Sequence, residues 1–433
     1  MNTQQAQAVA DETGWGDVNQ GTQDPEEVRV IFSALDSFRQ YAKVTHFDVT
    51  HIRRLSFYAL PQAHWELLAR PPFRYLETLD RADEAIDSNA ELGRAILRSG
   101  LRAFHSIASA SEEFEPAMPE AWQGVAKHSD IEKAKSTIRQ FFRDWSAEGK
   151  AERDACYGPV MSMMEREREA RSQSEPLKVL VPGAGLGRLV FDLALRGFET
   201  EGNEISYHQL LASSYILNGC AAAESHTIYP WVHSFSNHLS RESHLRGCKV
   251  PDVHPATVLA NTPGTGSMSM CAADFLCLYA DDKNEGAFDA VASVFFLDTA
   301  PNLIRYLEVI WHCLRPGGVL INVGPLLWHF ENLPPGNHGL DYDGDGEHDP
   351  KNSSGIADPG SFELCEDETV ALVERLGFKI ESHKTGHEAP YLRDDQSMQQ
   401  SVYRASIWLA RKVERPMGEA TEPSTKTTGE TTC

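Results

Sequence analysis

The segment Val179-Leu-Val-Pro-Gly183-Ala-Gly185-Leu-Gly187-Arg188 is an apolar run that breaks into three glycines and continues as the amphipathic stretch Leu189-Val-Phe-Asp-Leu-Ala-Leu-Arg-Gly197. Glycines there let a backbone come close to a ligand, and a helix starting after them offers free N–H groups to an anionic group. A strand-to-helix turn without any ligand looks the same, so the neighbouring residues have to decide. Position 188 is Arg188, so the pattern is G-x-G-x-G and the G-x-G-x-x-G spacing of a dinucleotide site fails. The next run, Phe198-Glu-Thr-Glu-Gly-Asn-Glu204, ends in a carboxylate placed to accept hydrogen bonds from two ribose hydroxyls. A surface glutamate at the start of the next helix is the competing reading of Glu204, but Asn203 and Ser206 could cap that helix equally well, which favours the ligand role. Further on, Asp274-Phe275 pairs an acceptor for an exocyclic amine with a flat apolar ring, which suits adenine. Asp298 ends the apolar run Phe288-Asp-Ala-Val-Ala-Ser-Val-Phe-Phe-Leu-Asp298, and Arg315-Pro-Gly-Gly318 precedes another apolar run.

Polar residues at successive strand ends call for a parallel sheet with a crevice along its carboxyl edge. From Leu177 onward, short apolar runs alternate with helical segments, the signature of an α/β fold. Residues 26–170 read instead as a helical region: Val28, Phe32, Leu35 and Phe38 recur at helical spacing, as do Ile131, Ala134, Ile138, Phe141, Phe142 and Trp145. Gln140 and Arg143 lie off that apolar stripe, so a solvated face is their plain reading. Residues 171–413 form the expected ligand-binding domain, interrupted by Gly/Pro/Asp/Asn-rich insertions near 247–267 and 334–360. The second insertion contains Asp341, Asp343, Asp345 and Gly346, but the twelfth position of a calcium loop falls on Asn352, so no metal is expected. Residues 1–25 and 414–433 have the composition of disordered tails.

The chain has 433 residues, with 63 Asp and Glu against 40 Lys and Arg, a formal net charge of −23. Such an acidic balance argues against a nucleic-acid partner, and no apolar stretch is long enough to cross a bilayer. Eight cysteines without a C-x-x-C pair fit reduced thiols. The N-terminus lacks the apolar core of a signal peptide, so the cytoplasm is the expected compartment, with the nucleus as an alternative. A homodimer stays open.

Taken together, the glycine turn, the ribose acid, the acid–aromatic pair and the R-P-G-G turn resemble a class I S-adenosylmethionine-dependent methyltransferase. A closer resemblance is carried by Gln140-Phe-Phe-Arg143-Asp-Trp-Ser, Gly149-Lys-Ala-Glu-Arg-Asp-Ala-Cys156-Tyr, the Leu180–Leu189 block, Glu201-Gly-Asn-Glu204, Phe295-Phe-Leu-Asp298-Thr-Ala and Gly324-Pro-Leu-Leu-Trp-His329-Phe-Glu-Asn. Over roughly Phe32 to Lys412 the chain is similar to the carnosine N-methyltransferase family. That resemblance implies a Rossmann-like seven-stranded sheet preceded by an N-terminal helical region, closed by the runs Phe378–His383 and Ser401–Ala410, with S-adenosylmethionine as cofactor. It further implies that Gln140 and Arg143 reach the methionyl carboxylate, that Gly183 and Gly185 back the methionine part, that Glu204 holds the ribose, and that Asp274 and Phe275 frame the adenine. The imidazole dipeptide substrate would be held by Asp298, His329, Tyr391 and Tyr403, with methyl transfer to the ring Nπ and an anserine-type product. Without the family, His329 reads as a structural histidine and Tyr403 as a half-buried strand residue. A peptide or protein histidine, another small imidazole, and a non-catalytic cofactor-binding protein are the competing readings.

Overall fold

The computed structural model describes residues 25–105, 117–171, 175–333 and 360–413. The tails and most of the second insertion, including Asp341, Asp343, Asp345, Gly346 and Asn352, lie outside the described residues.

The amino-terminal part is helical: α1 spans Pro25–Thr45, α2 Tyr75–His105, α3 His128–Trp145 and α4 Lys150–Arg171. Helix α1 begins with a proline and two glutamates and carries Lys43 in its last turn, which suits both ends of its dipole. Its stripe of Ile31, Leu35 and Phe38 packs with Ile138, Phe141 and Trp145 of α3 and with Ile86 and Ile96 of α2 in one continuous core.

The sheet strands follow from alternating side chains buried on both faces. In chain order they are β1 Lys178–Pro182, β2 Glu199–Glu204, the hairpin β3 His226–Ile228 with β4 Cys248–Val250, then β5 Met268–Ala272, β6 Phe288–Val294, β7 Leu314–Gly324, β8 Phe378–Pro390 and β9 Val402–Lys412. The main sheet has seven strands in the order β5-β2-β1-β6-β7-β9-β8. Its first five members pair in parallel, and β9 runs antiparallel between β7 and β8. The seven-stranded α/β sheet that the resemblance implied, closed by a final antiparallel strand, is therefore present. Leu180, Val291 and Leu320 point to one face, while Val179, Val181, Ala290, Ala292 and Ile321 point to the other, as a sheet covered on both sides requires. Helices α5 Arg188–Leu195, α6 Tyr207–Ser214, α7 Phe275–Tyr279, α8 Leu303–Cys313 and α9 Glu366–Arg375 complete the fold. No helix among the described residues is long and apolar enough to cross a membrane.

Arg188, the residue that breaks the dinucleotide spacing, fastens the helical region to the sheet. Its guanidinium lies over the Trp145 ring at 4.9 Å, donates to the Asp144 carbonyl at 3.0 Å, and pairs with Asp192 at 2.9 Å and Asp252 at 2.7 Å. Asp252 also accepts from Arg153 of α4 at 2.8 Å, and its own N–H donates to the Trp145 carbonyl at 2.7 Å. The segment read from sequence as a surface insertion near 247–267 thus contributes a central carboxylate, along with the buried Cys248 and Val250. Gly and Pro there mark turns around buried residues, which composition does not distinguish from a solvated loop.

Removing the Asp252 carboxylate leaves Arg153 without an ion-pair partner among the described residues and Arg188 with Asp192 alone, so Asp252→Ala is expected to destabilise the fold by about 3 kcal/mol. Urea unfolding with an unchanged slope would read this as a lower midpoint; a loss below about 1 kcal/mol would show that the network contributes little.

Candidate active site

The carboxyl ends of β1, β2, β5 and β6 open onto a cavity of about 440 Å³, at the point where the strand order runs outward in both directions from β1 and β6. Nine of the eleven residues expected from the sequence line it: Gln140, Arg143, Gly183, Gly185, Glu204, Asp274, Phe275, His329 and Tyr391. Asp298 and Tyr403 do not line it.

Gly183 follows β1 with φ +63°, and a Cβ there would stand 2.8 Å from the Phe296 ring, so the turn needs glycine for both its conformation and its clearance. Glu204, at the end of β2, is buried. One carboxylate oxygen accepts from the Gly185 N–H at 2.9 Å, and the other accepts from the N–H groups of Ile205 and Ser206, both at 2.9 Å. Burial raises the pKa of this carboxyl, while those backbone donors oppose the rise. Asp274 caps α7 through one oxygen, which accepts from Leu276 at 2.8 Å and Cys277 at 3.1 Å. Phe275 sits in an aromatic cluster 5.4 Å from Phe296 and 5.5 Å from Tyr306, and all three rings line the cavity.

Helix α3 closes the cavity from outside the sheet. Gln140 and Arg143 are not on a solvated face: Gln140 is 9% exposed, and its side-chain oxygen is buried without a hydrogen-bond partner among the described residues. Arg143 donates to both carboxylate oxygens of Asp144, at 2.7 and 3.1 Å, and its guanidinium lies 5.0 Å from the Tyr391 ring centre. Burial works against the charge of Arg143, but Asp144 outweighs it and keeps the group firmly cationic.

The remaining wall holds the aromatic cluster Phe295, Tyr391 and Tyr403, with centroid separations of 5.3, 5.6 and 6.2 Å. Phe295 has φ +53°, an uncommon conformation for an aromatic residue and one found at functional sites. Tyr403, half-buried on β9, stands behind the two rings that face the cavity. Asp298 lies in a short turn and is 3% exposed. One carboxylate oxygen accepts from the Leu327 N–H at 2.9 Å, and its backbone carbonyl accepts from the His329 N–H at 3.2 Å. Asp298 thus stands beside the cavity lining, with one oxygen on the backbone that leads to His329.

Known proteins bear on what this cavity serves. The family model for carnosine N-methyltransferase matches residues 120–414. The chain belongs to the carnosine N-methyltransferase family. Its similarity extends to the carnosine N-methyltransferases of Mus musculus, 34% identical over 88% of this chain and 86% of the relative, and of Schizosaccharomyces pombe, 34% identical over 90% and 97%. It is a methyltransferase that depends on S-adenosylmethionine.

The residues present suit that cofactor. Gln140 brings an unpartnered buried acceptor, Arg143 a fixed cation, and the Gly183–Gly185 turn a cradle that a side chain would fill, which together match a zwitterionic amino-acid end. Sequence reasoning missed Phe295, Phe296, Tyr306 and Gln209 as cavity residues. The first three read as core aromatics, and only the backbone angle of Phe295 sets it apart. It also missed Glu152 of α4, whose carboxylate accepts from the N–H groups of Leu392 at 2.9 Å and Arg393 at 2.5 Å and so fixes the segment bearing Tyr391. The acidic and histidine group Asp48, His128 and Glu132, the described cluster with metal-ligand spacing, already holds the Lys135 ammonium, 2.8 Å from Asp48 and 2.7 Å from Glu132.

An amide at position 204 offers one acceptor oxygen where the carboxylate uses two, so Glu204→Gln is expected to weaken S-adenosylhomocysteine binding by about tenfold, or 1.4 kcal/mol. Calorimetric titration of the folded variant checks this, and an unchanged affinity would remove Glu204 from cofactor binding.

Proposed function

We propose that this enzyme transfers the methyl group of S-adenosylmethionine to the imidazole of carnosine or a related histidine-containing dipeptide, at Nπ, giving an anserine-type product. The observation that supports this reading is the meeting of two residue sets in one cavity: Gln140, Arg143, Gly183, Glu204, Asp274 and Phe275 on one side, His329 and Tyr391 on the other. Relatives named carnosine N-methyltransferases that match along most of their length support the same substrate class.

When bound, the cofactor supplies a sulfonium methyl as the electrophile, which leaves the protein the tasks of binding and orientation. In our reading Arg143 and Gln140 take the amino-acid end, Glu204, with three backbone donors in place, keeps lone-pair capacity for about one ribose hydroxyl, and Asp274 and Phe275 take the adenine. An imidazole attacks through a ring lone pair, so the other ring N–H must be held and the lone pair turned toward the methyl. His329 provides a polar group for the dipeptide at the cavity wall, with Phe295 and Tyr391 as the apolar surface against the ring. Asp298 acts from behind the wall: it holds the Leu327–His329 backbone, and its negative charge favours the imidazolium that forms as the methyl arrives. Its pKa is raised by burial and pulled back by the Leu327 N–H and by His329, so the carboxyl and His329 act as electrostatic neighbours. Tyr403 supports the ring of Tyr391 from the second row.

The direct test incubates the protein with S-adenosylmethionine and carnosine and locates the added methyl by fragmentation mass spectrometry. We expect a single methyl on Nπ. Transfer to the other nitrogen would overturn the regiochemistry, and a preference for longer histidine peptides would overturn the dipeptide assignment. With this assay, His329→Ala is expected to raise KM for the dipeptide by about tenfold while leaving S-adenosylhomocysteine affinity within about twofold. Asp298→Asn should lower kcat by about tenfold or more, and full turnover in that variant would remove Asp298 from the mechanism.

A further inference from the structure

Adjacent residues divide between two cavities. Gln140 and Tyr391 line the first, while Arg139, Leu392 and Arg393 line a second cavity of about 250 Å³. The second one is lined by two arginines, Arg139 and Arg393, that make no ion pair with a carboxylate among the described residues. Arg139 lies over the Trp231 ring at 5.0 Å and donates one N–H to the Leu392 carbonyl at 3.0 Å. Its Nε and the Trp231 Nε1 are both buried without a hydrogen-bond partner. Burial lowers the pKa of Arg139 and outweighs Glu152 and Asp394, which act on it through charge alone, without an ion-pair contact.

The carboxylate in the lining, Asp394, offsets part of this charge. Asp394 uses one oxygen to accept from the Gln396 N–H at 3.0 Å and from Arg246 at 3.4 Å; its other oxygen lies 3.9 Å from His238 Nδ1, and neither of those two atoms has a hydrogen-bond partner. His233, bonded to the Tyr41 hydroxyl at 2.8 Å, is pushed down to about 3 by burial and by the nearby Lys135 and Arg139, so it stays neutral. In a chain with a formal net charge of −23, two arginines against one carboxylate in the lining leave this wall with an excess of positive charge, of the kind that captures anions.

We propose that this second cavity is an anion site for a small molecule bearing a carboxylate or a phosphate, held between Arg139 and Arg393. Arg guanidinium groups grip either anion through paired N–H donors, and the stack on Trp231 fixes the plane of Arg139 in advance.

The experiment titrates the full-length protein, saturated with S-adenosylhomocysteine so that Arg143 is already engaged, with inorganic phosphate and separately with succinate, by calorimetry. The expected result is one saturable site for at least one of the two probes, weakening as sodium chloride is raised. Binding of phosphate alone identifies a phosphorylated ligand, and binding of succinate alone identifies a carboxylate. Arg393→Gln should weaken that binding by about tenfold while leaving the melting temperature and S-adenosylhomocysteine affinity unchanged, and Arg139→Gln should weaken it at least as much. The proposal is overturned if neither probe saturates, or if Arg393→Gln binds as the parent does. Because the Arg393 side chain makes no ion pair among the described residues, that variant carries the test even where Arg139→Gln does not fold.

Discussion

The active cavity depends on how firmly one helix end is held. Helix α3 lies outside the sheet, yet it supplies Gln140 and Arg143, so the cavity exists only while the end of α3 stays where the sheet needs it. Three contacts converge on that end: the Trp145 indole N–H donates to the Leu186 carbonyl at 3.0 Å, Arg188 donates to the Asp144 carbonyl, and the Asp252 N–H donates to the Trp145 carbonyl. Leu186 belongs to the glycine turn, so the turn that cradles a ligand also anchors the helix that closes over it. The helical region is therefore a structural part of the catalytic domain.

From the same anchor, order passes to the substrate side. Asp144 grips Arg143 through both carboxylate oxygens and accepts from the Tyr157 hydroxyl at 3.1 Å, and Arg143 stacks on Tyr391. Glu152, one turn into α4, holds the next two backbone N–H groups after Tyr391. Residues on two sides of the cavity are thus braced against one pair of helices, α3 and α4, which fixes their relative position. Such preorganisation matters for an in-line displacement, where a misplacement of about 1 Å can cost about a hundredfold in rate.

The sheet side of this design was legible in the sequence, because its signals are local. The glycine turn, Glu204 at a strand end and the alternating final strand each follow from a few consecutive residues, and the seven-stranded order agrees with them. The helix side was not legible from periodicity. A helical pattern says which face of a helix is apolar, and it does not say what covers the other face; Gln140 and Arg143 lie off the stripe and are buried by a second set of partners. Only the family resemblance pointed to them. Asp298 shows a further limit of local reading. A carboxylate at a strand end is expected to face the crevice, but here a short turn intervenes and spends one oxygen on the Leu327 N–H.

The carboxylates around the cavity share one economy of design. Glu204, Asp274, Asp298 and Glu152 each accept backbone N–H groups that would otherwise be left unpaired at a turn, a helix start or a loop. A carboxylate has capacity for about four hydrogen bonds, so a group that holds the backbone can still receive a ligand donor. This double use explains why buried acids with raised pKa values, Glu204 and Asp298, are tolerated next to a ligand site: the backbone donors lower the cost of burying the charge. It also means that site shape and site charge cannot be altered separately. Removing any one of these acids changes where the backbone runs as well as what the cavity attracts.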